Sequence, residues 1–324
     1  MPLSFDLSYE ELQTYMGENP RPNDFDPYWD AALSELDAIN NQIIWEPAEF
    51  HAPGVECNHM YFTGIGNAKV HAKILKPSKI NHPSPAILMF HGYSCDSNDW
   101  SLKLGFVAQG YVVAALDSRG QGGLSEDSGG VIGNTLHGHI IRGLENAING
   151  HPEKLLYRNM FLDTVQLARI VMEMPEVDSE NVFATGWSQG GALTVACAAL
   201  EPRIKKIAPV YPFLSDYKRV WQMDYAKDAY AELKEFFRHV DPQHKREDEI
   251  FTNLGYIDIQ NLASRIRADV LWGIGLSDNI CPPSSQFAAY NKIKSDKKMA
   301  TYPDFAHEEL PGMNDQIFQF FLNR

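Results

Sequence analysis

One serine lies where a predicted strand turns tightly into a predicted helix. Ser188 is the third residue of the segment GWSQGG (186–191), between the apolar run NVFAT (181–185) and a stretch of small residues. A serine on such a turn needs small residues two positions before and two after it, because the neighbouring strand and helix leave no space for side chains. Gly186 and Gly190 occupy those positions. The pattern predicts a nucleophilic serine, and a helix N-cap serine beside incidental glycines is the alternative.

A serine hydroxyl needs an imidazole that accepts its proton and a carboxylate that orients the imidazole. Asp278 follows the apolar run 269–276, and His307 follows the short predicted strand 298–302. The order serine, acid, histidine, with each residue just past the carboxyl end of a strand, is that of the α/β-hydrolase fold. We therefore expect Ser188 to be the nucleophile, His307 the base and Asp278 the orienting acid.

Other acids and histidines compete for these roles. Asp269 begins its strand and so lies at the wrong end of the sheet, while Asp304 is close enough to His307 to form a local turn. Asp278 itself lies in a sequence with turn chemistry. His91 precedes the serine, and we expect it to orient a loop.

The oxyanion of an acyl-transfer intermediate needs two backbone N–H donors. The residue after the nucleophile supplies one, which predicts Gln189. The loop that follows the strand 85–90 supplies the other, and Tyr93 is the predicted donor there, with Gly92 allowing close backbone approach. The Tyr93 ring also has the position to form a wall of the acyl pocket.

Composition limits the classes of function. The chain has 324 residues, 44% of them hydrophobic, and a formal net charge of −14, which opposes binding to nucleic acid or to anionic lipid. The four cysteines show neither paired nor metal-ligand spacing, so we expect no disulfide framework, no metal and no cofactor. Neither a membrane span nor a secretory signal is recognised, so we expect a cytoplasmic protein.

The order of predicted elements is that of an α/β protein with a mostly parallel central sheet and helices on both faces. Residues 1–45 are predicted to form an N-terminal helical arm, and residues 46–324 the α/β-hydrolase domain. Two or three antiparallel edge strands are expected within 46–77. Six further strands are predicted to alternate with helices at 85–90, 111–116, 181–185, 206–210, 269–275 and 298–302.

Two insertions interrupt this alternation. Residues 119–157 contain several glycines and are predicted to form a long loop before a helix. Residues 213–267 are charged and helical in period, and they lie between two sheet strands on the catalytic side. We expect them to form a cap that excludes water and shapes the substrate pocket.

Polar residues near the predicted site have two possible roles. Arg119 begins the segment RGQ (119–121) and carries five donors, which either bind a substrate anion or, with Gln121, brace the surrounding loops. We favour the bracing role, because an ester of a neutral sugar offers arginine no charge. Glu308, next to His307, is similarly expected to give structural support.

Taken together, the segments RGQ (119–121), GWSQGG (186–191), YPFLSD (211–216) and HE (307–308) resemble the acetyl xylan esterase and cephalosporin C deacetylase family, carbohydrate esterase family 7, along nearly the whole chain. The resemblance implies hydrolysis of acetyl esters on small carbohydrates such as xylo-oligosaccharides, and on cephalosporin C-type substrates. It places the catalytic triad on Ser188, Asp278 and His307. It also implies a hexamer whose active sites face an interior cavity.

We expect the substrate pocket to include Tyr93, Trp187, Tyr211 and Pro212. Trp187 occupies a variable position of the motif, which leaves the acyl-chain preference open. A broad short-chain carboxylesterase therefore remains an alternative. A peptidase of the prolyl oligopeptidase type requires an upstream β-propeller, for which the segment before Pro85 is too short. A catalytically silent binding or scaffold protein on this fold would be expected to lack a triad residue.

Overall fold

A computed structural model describes residues 5–126, 137–225 and 227–323. Nine strands of this part of the chain form one sheet. The strands are β1 Ile44–Pro47, β2 Val55–Thr63, β3 Lys69–Pro77, β4 Ser84–Phe90, β5 Val112–Leu116, β6 Val177–Trp187, β7 Lys206–Val210, β8 Asp269–Gly275 and β9 Lys297–Tyr302. The α-helices are α1 Tyr9–Leu12, α2 Phe25–Asp37, α3 Leu104–Val107, α4 Leu144–Ala147, α5 Leu156–Glu173, α6 Gln189–Leu200, α7 Tyr217–Gln222, α8 Ala231–Val240, α9 Glu247–Leu254, α10 Ile259–Leu262, α11 Pro283–Tyr290 and α12 Met313–Leu322.

The strand order across the sheet is β1-β2-β3-β5-β4-β6-β7-β8-β9. The first four strands in that order pair antiparallel, and the other neighbours pair parallel. Parallel pairing places the carboxyl ends of β4, β6, β7, β8 and β9 along one edge of the sheet. The loops that follow these strands carry all three predicted triad residues and both predicted oxyanion donors.

Helices cover both faces of the sheet, as the pattern of elements predicts. Successive residues of β4 point to opposite faces: Leu88 packs in the large core cluster with α5 and α6, and Ile87 packs in a second cluster with α12. Alternate apolar residues of one strand thus pack into two hydrophobic cores, one on each face of the sheet. In the part of the chain that is described, no helix combines the length and the apolar character needed to cross a membrane.

Strand β6 begins earlier than predicted. Its first residue, Val177, pairs with Ser84 of β4, and the strand continues to Trp187. The polar residues 178–181 show no apolar alternation, so the sequence pattern does not predict this part of the strand. The predicted bounds of the other parallel strands agree with the structure to within one residue.

The described part of the N-terminal arm packs on the main core. Trp29 of α2 is fully buried, stacks on Phe161 of α5 with ring centroids 6.0 Å apart, and donates its Nε1–H to the Tyr256 carbonyl at 3.1 Å. Residues 213–267 contain α7 to α10, as their helical period predicts. Of the predicted loop 119–157, residues 127–136 lie outside the described residues.

Candidate active site

The predicted nucleophile lies between the last residue of β6 and the first residue of α6. Ser188 has φ 57° and ψ −117°, a left-handed conformation that costs about 1–3 kcal/mol for a residue other than glycine. Its N–H donates to the Val210 carbonyl at 3.0 Å, and its own carbonyl accepts the N–H of Phe213 at 3.0 Å. Backbone bonds to the loop after β7 therefore hold the strained turn.

Two glycines allow this turn to pack. A Cβ on Gly190 would lie 2.0 Å from the Phe90 carbonyl oxygen, and a Cβ on Gly186 would lie 2.4 Å from the backbone of Gly190. Real Cβ atoms do not approach backbone this closely. The small residues two positions before and after Ser188 are therefore a steric requirement.

The histidine bridges the serine and the acid. His307 Nε2 lies 3.0 Å from Ser188 Oγ, and His307 Nδ1 lies 2.8 Å from Asp278 Oδ2. The second oxygen of Asp278 accepts the N–H groups of Ile280 and Cys281 at 2.9 and 2.8 Å. This arrangement fits a neutral imidazole that donates Nδ1–H to the carboxylate and accepts the serine proton at Nε2.

Asp278 is fully buried, whereas the His307 side chain remains 17% exposed. A buried carboxylate that accepts three hydrogen bonds keeps one orientation. The partly open face of the imidazole leaves room for a substrate beside it. The structure thus brings together the three residues that the sequence predicts.

The two predicted oxyanion donors flank Ser188. Gln189 is the first residue of α6, so its N–H has no partner within the helix. Tyr93 lies in the loop after β4. Neither N–H meets an acceptor among the described residues. Gly92 is not sterically required, because a Cβ there would make only ordinary contacts at 4.0 Å.

Comparison with known proteins identifies the family. Residues 1–324 match the acetyl xylan esterase (AXE1) family. The chain belongs to this family of carboxylic ester hydrolases. Acetyl xylan esterase 1 from Thermoanaerobacterium sp. JW/SL YS485 is 52% identical with a TM-score of 0.94, and the match covers 98% of this chain and 99% of that one.

Two further relatives agree. An acetyl xylan esterase from Paenibacillus sp. R4 is 30% identical with a TM-score of 0.89, over 98% of this chain and 99% of that chain. The acetyl esterase Axe7A of Xylanibacter ruminicola is 23% identical over 307 residues, which are 93% of this chain. The chain spans 66% of the length of Axe7A. The predicted α/β-hydrolase fold is confirmed.

In this member of the acetyl xylan esterase family, a buried amide pair lies behind the predicted oxyanion donors. Gln121 Nε2 donates to Gln189 Oε1 at 2.6 Å, and Gln189 Nε2 donates back to Gln121 Oε1 at 3.0 Å. Gln121 Oε1 also accepts the N–H of Ser94 at 2.9 Å, and Gln189 Oε1 accepts the Tyr157 hydroxyl at 2.8 Å. The amide pair joins the loop after β4 to the start of α6, so it links both predicted donors.

The Tyr93 side chain points toward the inserted helices. Its hydroxyl donates to Glu232 Oε1 at 2.6 Å, and its ring packs edge-on against Phe213. The other oxygen of Glu232 accepts the N–H groups of Ile140 and Ile141 at 2.8 and 3.1 Å. Burial raises the pKa of the Glu232 carboxyl above its usual range. Glu232 on α8 therefore joins the insertion to the loop that carries Tyr93.

Arg119 is fully buried and makes a two-pronged ion pair with Asp163 of α5. Its Nε donates to Oδ2 at 2.7 Å and its Nη2 to Oδ1 at 2.6 Å, while Nη1 donates to the Ile65 carbonyl at 2.9 Å. These contacts agree with the bracing role favoured above, because the guanidinium is fully buried and is not accessible to a substrate. Gly64 is necessary for this packing, because a Cβ there would lie 2.5 Å from Arg119 Nη2.

Two aromatic rings flank the histidine. The Tyr211 ring centroid lies 4.4 Å from that of His307, and Trp187 meets Tyr211 edge-on at 5.3 Å. Burial, and then the negative charge of Asp278, raise the pKa of the Tyr211 hydroxyl. Pro212, by contrast, packs against the start of α6, where a Cβ on Gly191 would lie 3.2 Å from it.

The predicted support residue Glu308 is exposed and accepts the N–H of Ala306 at 3.0 Å, which fixes the turn that carries His307. His91 also has the loop-orienting role expected of it. Its Nε2 accepts the N–H of Ser118 at 2.9 Å, which ties the end of β4 to the end of β5.

A cavity of about 580 Å³ lies beside the nucleophile turn, between α3 and α12. Gly186 and Trp187 line it together with apolar residues such as Phe106 and Phe318, but Ser188 and His307 do not. The cavity therefore lies outside the triad, although Trp187 borders both.

Sequence reasoning missed the positions of Tyr157, Asp163, Glu232 and Cys281 at or behind the site. Each of these side chains is buried in the fold but lies in an ordinary helical or loop pattern. A buried charge needs a partner, so Asp163 within the apolar helix α5 was a signal that a cation had to lie against it.

Proposed function

We propose that this chain is a serine esterase that removes acetyl groups from small acetylated carbohydrates, in particular acetylated xylo-oligosaccharides, and from cephalosporin C-type acetyl esters. The observation that carries the proposal is His307, which lies 3.0 Å from Ser188 Oγ and 2.8 Å from Asp278. Membership of the acetyl xylan esterase family supports the acetyl and carbohydrate parts.

In the first half of the reaction, Ser188 Oγ attacks the acetyl carbonyl carbon while His307 Nε2 takes the hydroxyl proton. The buried Asp278 carboxylate stabilises the imidazolium that forms. Negative charge develops on the carbonyl oxygen, where the N–H groups of Gln189 and Tyr93 stabilise it. The sugar alkoxide then leaves and takes the proton from His307, so the acetyl group remains on Ser188.

In the second half, a water molecule replaces the sugar. His307 accepts a proton from the water as it attacks the acetyl-enzyme, and the same two N–H groups hold the second oxyanion. Collapse of this intermediate returns the proton to Ser188 and frees acetate.

The charge distribution agrees with a neutral acetylated sugar as the substrate. The Arg119 guanidinium is committed to Asp163, so it does not act as an anion clamp. Tyr211 and Trp187 offer ring faces beside His307. Sugars pack well against aromatic faces, and we place the carbohydrate there.

A broad short-chain carboxylesterase is the second candidate. The cavity of about 580 Å³ that borders Trp187 favours it, because displacement of that ring would give a longer acyl chain access to the apolar part of the cavity around Phe106 and Phe318. The two candidates differ in acyl-chain preference and not in mechanism.

The test is a set of initial rates with p-nitrophenyl acetate, butyrate and octanoate, followed by acetate release from acetylated xylo-oligosaccharides. Ser188→Ala should abolish hydrolysis with the fold retained, while the exposed Ser34→Ala serves as a matched control. A strong acetate preference and release from the oligosaccharide support the deacetylase. Preference for octanoate selects the carboxylesterase, and full activity of Ser188→Ala refutes both.

We also propose that the chain assembles as a homo-oligomer, with the hexamer that the family resemblance implies. Its support is the edge strand β1, where Ile44 and Trp45 are 47% and 45% exposed. Large apolar side chains on an unpaired sheet edge are a common place for contact between copies. Light scattering coupled to size-exclusion chromatography tests the assembly, and a monomeric mass contradicts it.

A further inference from the structure

Cys281 is a buried thiol inside the candidate active site that the proposed mechanism does not use. Its side chain has no exposed surface, and its N–H donates to Asp278 Oδ1 at 2.8 Å. It lies three residues after Asp278 in the loop that leads to α11. Burial, and then the Asp278 charge, raise the pKa of the thiol well above its usual range.

Three different donor atoms converge at this point. Asp278, Cys281 and His307 each contribute one possible ligand atom, and these three atoms lie within 4.8 Å of one another. In a tetrahedral zinc site, bonds of about 2.0–2.3 Å put neighbouring ligand atoms about 3.5 Å apart. The three side chains therefore need only small rotations to surround one ion.

We propose that Asp278, Cys281 and His307 form a binding site for one zinc-class divalent ion, and that occupation of this site inhibits the enzyme. Thiolate and imidazole ligands favour Zn²⁺, Cd²⁺ and Co²⁺ over Mg²⁺ and Ca²⁺, which prefer oxygen. Three protein ligands leave a fourth position open for water. Metal is an inhibitor here and takes no part in the reaction.

Inhibition follows from shared atoms. The lone pairs that bind the ion belong to the imidazole and carboxylate that otherwise transfer and stabilise the serine proton. A bound ion therefore removes the hydrogen bond between His307 and Asp278, or the one between His307 and Ser188. Coordination also displaces the proton of the Cys281 thiol, which leaves to solvent as the metal–sulfur bond forms.

The other cysteines provide matched controls. Cys57 is half-buried and Cys95 is exposed, both outside the cluster, and Cys197 is buried with its Sγ 3.6 Å from the Thr164 carbonyl. A protein with Cys57→Ser and Cys95→Ser keeps Cys281 and loses the accessible thiols. Non-specific metal binding at exposed sulfur can thus be separated from binding at the cluster.

The first experiment measures inhibition of p-nitrophenyl acetate hydrolysis by ZnCl₂ in a buffer that does not bind zinc. This readout depends on the proposed esterase function. We expect the Cys57→Ser/Cys95→Ser protein to be inhibited like the unaltered chain. Adding Cys281→Ser should raise the inhibition constant at least about tenfold, each protein being compared with its own uninhibited rate. Equal inhibition with and without Cys281 overturns the proposal.

The second experiment needs no activity. Titration of Co²⁺ into the Cys57→Ser/Cys95→Ser protein should produce thiolate-to-cobalt charge-transfer absorption in the near ultraviolet, saturating at one ion per chain. The band should disappear in the same protein with Cys281→Ala. Absence of a saturable band before Cys281 is replaced overturns the metal site even if the esterase is active. A saturable band in a protein without esterase activity supports the site and refutes only the proposed function.

Discussion

Replacing Gln121 by leucine tests whether the buried amide pair positions the predicted oxyanion donors. The substitution keeps the approximate size of the side chain and removes three hydrogen bonds. The Ser94 N–H loses its acceptor at 2.9 Å, and the Gln189 amide loses a donor at 2.6 Å and an acceptor at 3.0 Å. Gln189 keeps the Tyr157 hydroxyl at 2.8 Å but only a long contact, 3.4 Å, to the His91 carbonyl.

The cost in stability can be worked out from these contacts. A buried polar group that loses a hydrogen bond costs about 1–3 kcal/mol, and the fully buried Gln189 amide loses two, which gives about 2–4 kcal/mol after partial relaxation. At about 2.1 cal/mol/K per residue, the entropy of unfolding of a chain of 324 residues is about 0.7 kcal/mol/K. The melting temperature of Gln121→Leu should therefore fall by about 3–6 °C.

The effect on turnover is larger than the stability loss alone explains. Loss of one complete oxyanion donor costs about 10²–10³ in kcat. A loosened loop keeps part of that stabilisation, so we expect kcat for p-nitrophenyl acetate to fall about 10–100-fold. KM should change by less than about threefold, because the oxyanion contacts strengthen mainly in the transition state.

The control is Thr164→Val, which removes a buried hydroxyl that donates to the Phe161 carbonyl at 2.7 Å, away from the loop after β4. It should lower the melting temperature and leave kcat unchanged. If the kcat of Gln121→Leu equals that of Thr164→Val, the amide pair stabilises only the core. The argument that it positions the predicted donors is then refuted.

Three further predictions follow from the charged groups. Asp278→Asn should lower kcat about 10⁴-fold with little change in melting temperature, since asparagine still accepts the two backbone N–H groups; a fall below tenfold in steady-state assays contradicts this. Arg119→Met should cost about 3–5 kcal/mol in denaturant unfolding, because it leaves the Asp163 carboxylate buried and unpaired; adding Asp163→Leu should restore most of it, and no recovery argues against the pairing. Burial, and then Asp216, raise the pKa of Asp258 to about 7. The folded state therefore holds this proton more tightly than the unfolded state, and its stabilising contribution declines as pH rises from about 4 to about 7. Asp258→Asn should flatten the dependence of melting temperature on pH in that window, and an unchanged slope contradicts the assignment.

The fold class and the family were predictable because the decisive signals are local. Each predicted triad residue follows a predicted strand that ends at one edge of the sheet, and the glycines around Ser188 reflect a steric limit of one turn. A reader of the sequence can see both. The unrecognised start of β6 shows the limit of this approach, because Val177 pairs with Ser84 of β4 but the polar residues 178–181 that follow it show no apolar alternation.

Residues that support the site were harder to predict, since their partners are distant in the chain. Gln121 and Gln189 are 68 residues apart, and Tyr93 and Glu232 are 139 apart. A sequence shows that a polar residue exists but not which buried group it faces. For Gln189 the backbone N–H was foreseen and the side-chain amide was not. The catalytic roles remain predictions that the experiments above test, and the cap formed by residues 213–267 remains a prediction.

The contact between Tyr93 and Glu232 has a consequence for engineering. A natural way to change the specificity of such an enzyme is to exchange residues 213–267 for the corresponding segment of a relative. Here α8 supplies the carboxylate that binds Tyr93, the predicted oxyanion donor, so a replacement segment would also change the position of the loop that carries Tyr93. Chimeras that keep a glutamate at position 232 should retain turnover while their substrate selectivity changes. In chimeras that lose this glutamate, turnover should fall as the selectivity changes. In this fold, a change to the segment that sets substrate specificity is therefore expected to change the reaction rate as well.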